Sequence, residues 1–136
     1  MTPTQIVLTF IDRINAHDAE GLIALMASDH RFVDSIGHSF HGREGMRTAW
    51  AGYFAWFPDY RIEVEDVLAQ GDLVLVTGQA CGTFAVSGQL REENFWTAPV
   101  AWKALTEDGQ ITHWQVYADN HPVREIMKKY ETPEDD

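Results

Sequence analysis

The chain has 136 residues, 45% of them hydrophobic, and its 10 Lys and Arg face 21 Asp and Glu for a formal charge of −11. That length and apolar content suit one domain, read as residues 1–130 with an acidic tail at 131–136, whose core needs neither disulfide nor metal. The negative balance argues against nucleic acid or an anionic membrane as partner, since both require a basic footprint.

No basic region followed by an apolar run opens the sequence, and no apolar run reaches membrane-spanning length. A cytoplasmic protein is expected. The single cysteine, Cys81, sits in the strand-like stretch Gly78-Gln79-Ala80-Cys81-Gly82 and reads as a buried free thiol, which fits that compartment.

Ile6, Val7, Phe10, Ile11 and Ile14 recur at the spacing of an amphipathic helix over Thr4 to Ala16, with Thr2 as cap and Pro3 at the first helical position. His17-Asp18 breaks it, and a short helix follows over Gly21 to Met26. Ser28-Asp29-His30 then turns into a strand, Arg31 to Gly37, that carries Asp34. Alternation puts Phe32, Asp34 and Ile36 on one side. An ionisable group in an apolar setting is costly unless it is hydrogen-bonded, neutralised or used.

A third helix runs from Arg43 to Phe57 and stops at Pro58, with Met46, Trp50, Phe54 and Phe57 as its stripe and Ala49 and Tyr53 beside it. From Arg61 the period becomes two, with Ile62 and Val64 facing inward. Leu73 to Thr77 is apolar on both faces and reads as a central strand. A long strand from about Arg91 to Leu105, a last strand from Gln110 to Ala118, and a helix from Pro122 to Tyr130 complete the chain. Helices collected before a run of hairpin-connected strands argue for α+β, with a curved sheet wrapped around the helices.

The order and several motifs together resemble the NTF2-like superfamily, and within it the SnoaL-like polyketide cyclase group. The stretches that carry the resemblance are Asn15-Ala16-His17-Asp18, Phe32-Val33-Asp34-Ser35, Gly42-Arg43-Glu44-Gly45, Phe57-Pro58-Asp59-Tyr60-Arg61, Gly71-Asp72-Leu73-Val74, Gly82-Thr83 and Asp108-Gly109-Gln110-Ile111 with His113-Trp114. The resemblance implies a cone-shaped α+β barrel of the cystatin/NTF2-like kind, a mostly antiparallel sheet wrapped around three helices and enclosing an apolar pocket. It also implies a small apolar or aromatic ligand and pairing as a homodimer through the outer sheet face. Fold alone leaves isomerase, cyclase, hydrolase or dehydratase and non-catalytic binding or dimerisation domain all open.

Asp34 lies where ketosteroid isomerases keep their proton-moving carboxylate, and an apolar pocket would raise its pKa toward general-base use. The alternative is a buried carboxylate bonded to the Gly37-His38 turn, or to Arg31 or Arg43. The resemblance's oxyanion donors fall on Phe10 and Ala101, which cannot donate, and the epoxide-hydrolase aspartate falls on Val116. The cyclase-like His-Trp-Asp reads His113-Trp114-Gln115, and Gly-Thr-His reads Gly82-Thr83-Phe84.

Asp119 and Asn120 precede Pro122 and read first as helix caps. Asn120 is also a pocket candidate, because it shares a face with Trp114 and Val116. The five tryptophans, Trp50, Trp56, Trp96, Trp102 and Trp114, fill a core individually but together suggest flat apolar walls. The ligand-binding set is therefore Phe32, Trp50, Tyr53, Trp96, Trp114 and Asn120, although Pro99 leaves the faces of Trp96 and Trp102 open. The histidines read as solvated turn residues, with His38 or His41 as a possible partner of Asp34. No pair has metal-site spacing, and no cofactor fingerprint is present.

Overall fold

A computed structural model of the chain describes residues 1–131, so residues 132–136 of the expected acidic tail lie outside the described residues. The elements are α1 (Pro3–Asn15), α2 (Ala19–Leu25), β1 (Met26–Val33), β2 (Ser39–His41) and α3 (Glu44–Trp56). They continue as β3 (Arg61–Gln70), β4 (Leu73–Val86), β5 (Gln89–Glu107), β6 (Gln110–Ala118) and α4 (His121–Lys128). One mixed sheet runs β2-β1-β6-β5-β4-β3, antiparallel throughout except where β1 joins β6 in parallel. The α+β arrangement is as expected, and to the three helices that the resemblance implies the described residues add α4, the helix read from Pro122 to Tyr130.

The caps explain where the helices start. The Gln5 amide donates to Thr2 Oγ1 at 3.1 Å and the Thr2 amide to Gln5 Oε1 at 2.8 Å, a reciprocal box ahead of Pro3. The predicted stripe Ile6, Val7, Phe10, Ile11 and Ile14 is buried. Each such side chain gains about 1.5–3 kcal/mol from leaving water. Asp18, expected only as a breaker, accepts from the Gly21 amide at 2.9 Å, so α2 begins before Gly21.

β1 begins five residues earlier than expected, and Asp34 to Gly37 form a turn after it. Its buried residues are Met26, Ala27, His30 and Val33, a pattern without period two. The cause is a register shift against β6 between Met26 and Arg31. His30 is consequently fully buried, not a solvated turn residue. β2, where only a turn was expected, pairs Phe40 with Phe32.

Ile62 and Val64 stand in unbroken register opposite Ala80 and Gly78 and share a face of β3, yet Ile62 is buried and Val64 exposed; a bulge between Val64 and Asp66 ends the alternation beyond them. Along β5 the alternation holds. Trp96, Ala98, Val100, Trp102 and Ala104 all face the core, and Pro99 sits outward without resetting the register. Cys81 also points outward and is half-buried, contrary to the buried thiol expected, and partial desolvation pushes its pKa up.

Gly78 leaves room for the neighbouring strand: a Cβ placed there would collide with the Glu63 carbonyl oxygen. Among the described residues no helix is long and apolar enough to cross a membrane.

Candidate functional site

A cavity of about 640 Å³ opens between the helices and the concave side of the sheet. Its walls are set by four separate segments. The end of β1 and the turn after it bring Phe32, Asp34, Ser35 and Ile36. From α3 and the loop beyond come Trp50, Tyr53, Trp56 and Tyr60, from the sheet Trp102, Trp114 and Val116, and from α4 Val123, Arg124 and Met127 with Asn120 at its start. The size lies within the usual range for small-molecule sites, and the walls are largely apolar and aromatic.

Asp34 has one oxygen committed and one available. Oδ1 accepts from the Ile36 amide at 3.1 Å and the His38 amide at 2.9 Å, a turn that Gly37 closes at φ 87°. Oδ2 lies 3.7 Å from His38 Nδ1, and the side chain is 31% exposed. The carboxylate is bonded to the turn, and it also lines the cavity. Neither arginine bonds it, because Arg31 donates to Ser39 Oγ and Arg43 reaches the Met26 carbonyl.

The cap at α4 is divided between two residues. Asp119 Oδ1 accepts from the His121 amide at 2.9 Å. Asn120, expected first as a cap, makes no side-chain cap bond and instead donates through Nδ2 to Ser35 Oγ, on the cavity lining. At the far end of this segment the Tyr130 hydroxyl and the buried Asn94 amide bond each other, at 3.0 and 3.1 Å. The helix that roofs the cavity is fastened at both ends.

Phe32 and Trp50 meet edge to face at 6.2 Å, and Trp50 and Tyr53 at 6.1 Å. Trp114 lies deeper, 4.7 Å from Phe10. The structure thus brings Phe32, Asp34, Trp50, Tyr53, Trp114 and Asn120 to one cavity. Trp96 does not join them; it packs behind the wall, 5.4 Å from Phe57 and 6.1 Å from Tyr60. The sequence reading left the face of Trp96 open and offered no depth along β5. The indole N–H groups of Trp50, Trp96 and Trp114 have no hydrogen-bond partner among the described residues.

Tyr60, Trp102 and Arg124 are among the lining residues that the set read from sequence lacks. Tyr60 sits in a loop, held by Asp59, which accepts from both the amide and the hydroxyl of Thr83 at 2.6 Å. Its ring stands 5.0 Å from that of Tyr53, nearly perpendicular, and burial raises the pKa of both phenols, so they stay protonated. Trp102 was left without a face. Arg124 follows Asn120 by four residues and so shares its side of α4, a spacing that was available to read. Among the described residues, no group of His, Cys, Asp and Glu gathers as metal ligands would.

No curated protein is recognisably similar in sequence. Solved structures are similar in fold. A Catenulispora acidiphila protein with a ketosteroid isomerase-like fold, in complex with trimethylamine, superposes with a TM-score of 0.79 at 23% identity over 98% of this chain and 100% of its own. IdmH of Streptomyces antibioticus, a candidate polyketide cyclase, gives 0.77 at 23% identity, covering 94% and 99%. A candidate SnoaL-like polyketide cyclase from Shewanella denitrificans gives 0.80 at 14% identity, covering 93% and 97%. At these identities the likeness establishes the cystatin/NTF2-like fold, and the sequence itself establishes more: residues 7–114 match the family model of the SnoaL-like domain, and the chain belongs to that family.

Proposed function

We infer that the chain is a cofactor-independent acid/base enzyme of the isomerase or cyclase type, acting on an apolar carbonyl compound with Asp34 as general base. The observation that carries this reading is Asp34 on the wall of a largely apolar cavity that also holds Tyr53 and Tyr60, with His38 Nδ1 3.7 Å from its Oδ2. Asp34 would take a proton from the carbon next to the carbonyl. The electron pair left behind moves onto the carbonyl oxygen, and a neutral phenol can donate a hydrogen bond to that enolate. In an isomerase the proton returns at another carbon; in a cyclase the enolate carbon attacks a second carbonyl of the same molecule.

A positioned base contributes typically ~10²–10⁴-fold, and one preorganised oxyanion donor about 10²–10³-fold. The donors expected from the resemblance are missing at Phe10 and Ala101, and the two tyrosines offer the same chemistry from the other side of the cavity. Phe32, Trp50, Trp114 and Asn120 would orient the ligand.

A second reading is a ligand-binding domain without turnover, favoured by the commitment of Oδ1 to the turn amides. The outer sheet face exposes Leu68, Leu75, Phe95 and Tyr117, which supports pairing of two copies there in either case.

Tryptophan fluorescence of wild type and Asp34→Asn, titrated with a panel of apolar aromatic ketones while turnover is followed, separates the readings. Binding by both forms with conversion by wild type alone supports the enzyme. Equal binding with no conversion by either removes Asp34 as base for that panel and favours the binding domain.

A further inference from the structure

The cavity lining carries only two formal charges, Asp34 and Arg124. Asp34 is held by its turn. Arg124 is exposed on α4, and its backbone amide donates to the Asn120 carbonyl at 2.9 Å, so the two side chains lie one helical turn apart over the cavity.

The other arginines of the helices are used within the protein. Arg13 reaches Asp18 at 3.3 Å, and Arg47 reaches Glu20 at 2.6 Å and Glu44 at 2.7 Å. Arg124 makes no ion pair among the described residues. The acid nearest along its own helix, Glu125, faces His121 at 3.9 Å instead.

A chain with a formal charge of −11 repels anions over most of its surface. A single guanidinium on the rim of an otherwise apolar cavity therefore fixes the polarity of what enters. An acidic group is drawn to Arg124 and kept from Asp34. Asn120 can add a donor, because Nδ2 carries two hydrogens and Ser35 takes one. A planar guanidinium can hold a carboxylate through two parallel hydrogen bonds.

We propose that the ligand is an aromatic carboxylate whose acid group sits on Arg124 and Asn120 at the cavity mouth while its ring system lies among the tryptophans. This rests on the reading of the cavity as a small-molecule site, and it assigns Arg124 a specificity role. With the acid anchored there, the ligand enters in one orientation and presents its other end to Asp34 and the tyrosines.

Calorimetric titration of naphthalene-2-carboxylate and naphthalene-2-carboxamide at pH 7 tests it, using wild type, Arg124→Gln and, as a control for general charge, Lys128→Gln. The acid should bind wild type about tenfold more tightly than the amide, the gain being limited by solvent screening at an exposed arginine. Arg124→Gln should erase that preference and Lys128→Gln should leave it. Equal binding of acid and amide by wild type, or a preference that survives Arg124→Gln, overturns the carboxylate proposal and leaves the cavity reading standing. If neither probe binds wild type, the carboxylate proposal and the cavity reading both fall. Circular dichroism of Arg124→Gln identifies a folding defect, and Arg124→Lys then serves instead, with a reduced preference as the expected result.

Discussion

His38 meets Asp34 twice: its backbone amide donates to Oδ1 at 2.9 Å, and its Nδ1 lies 3.7 Å from Oδ2. The turn that positions the carboxylate is thus built partly by the carboxylate itself. Structure and chemistry can be separated here by choice of substitution. Asp34→Asn keeps an acceptor for both amides and should stay within about 0.5 kcal/mol of wild type in urea unfolding, while Asp34→Ala should lose about 1–2 kcal/mol. Equal losses in the two variants would mean that charge, not the turn bonds, stabilises the segment.

His30 makes stability depend on acid. Burial lowers its pKa from 6.5 despite the bond from the ring to the Ile111 carbonyl; His113 adds to the lowering and Asp29 opposes it. In the unfolded chain the ring takes a proton near its ordinary value, so below about pH 6.5 the unfolded state binds more protons and stability falls until the folded pKa is passed. Urea midpoints should therefore drop from pH 7.5 to 5.5 in wild type, with a shallower drop in His30→Gln. An identical slope in both would assign the acid sensitivity to other groups.

Tyr130→Phe removes the partner of a fully buried amide, leaving Asn94 with only a 3.4 Å bond to the Phe84 carbonyl. A loss of about 1–3 kcal/mol is expected. Hydrogen exchange should also quicken in α4 more than in β5, because the helix loses one of its two fastenings. Uniform quickening would show that the bond supports the whole fold and not the helix in particular.

Gly78→Ala should cost about 1–3 kcal/mol, since the new methyl meets the Glu63 carbonyl, which is backbone and cannot swing aside. Gly45→Ala, where nothing lies within 4 Å, is the matched control and should be neutral or slightly stabilising. A small loss at Gly78 would mean that the adjoining bulge at Val64–Asp66 absorbs the clash.

The regular parts of the fold were legible because periodicity reports them directly. α1, α3 and β6 lie within a residue or so of their expected bounds, and the alternation along β5 resolves Trp96 and Trp102 once Pro99 is seen not to interrupt it. What failed was set by partners distant in sequence. The register shift that buries His30 depends on β6. The site divides in the same way. Phe32, Asp34, Trp50, Tyr53 and Trp114 could be picked from local pattern and resemblance, but Tyr60 reaches the cavity from a loop held by a contact to Thr83. Asn120 reads from sequence both as a cap and, by alternation with Trp114 and Val116, as a pocket residue; what local pattern does not give is its bond to Ser35, which joins positions 85 apart.

The parallel seam between β1 and β6 has a consequence in time. His30 and Ile111, joined across it, are 81 positions apart, and Phe32 pairs there with Trp114. Closing so long a loop before its contacts can form slows folding relative to the helical segments. A growing chain that has not yet reached Gln110 leaves the inner edge of β1 unpaired, with Asp34 at the end of that strand. The cavity wall between β1 and β6 is then completed late, and anything bound across both strands would favour the finished chain over every shorter one.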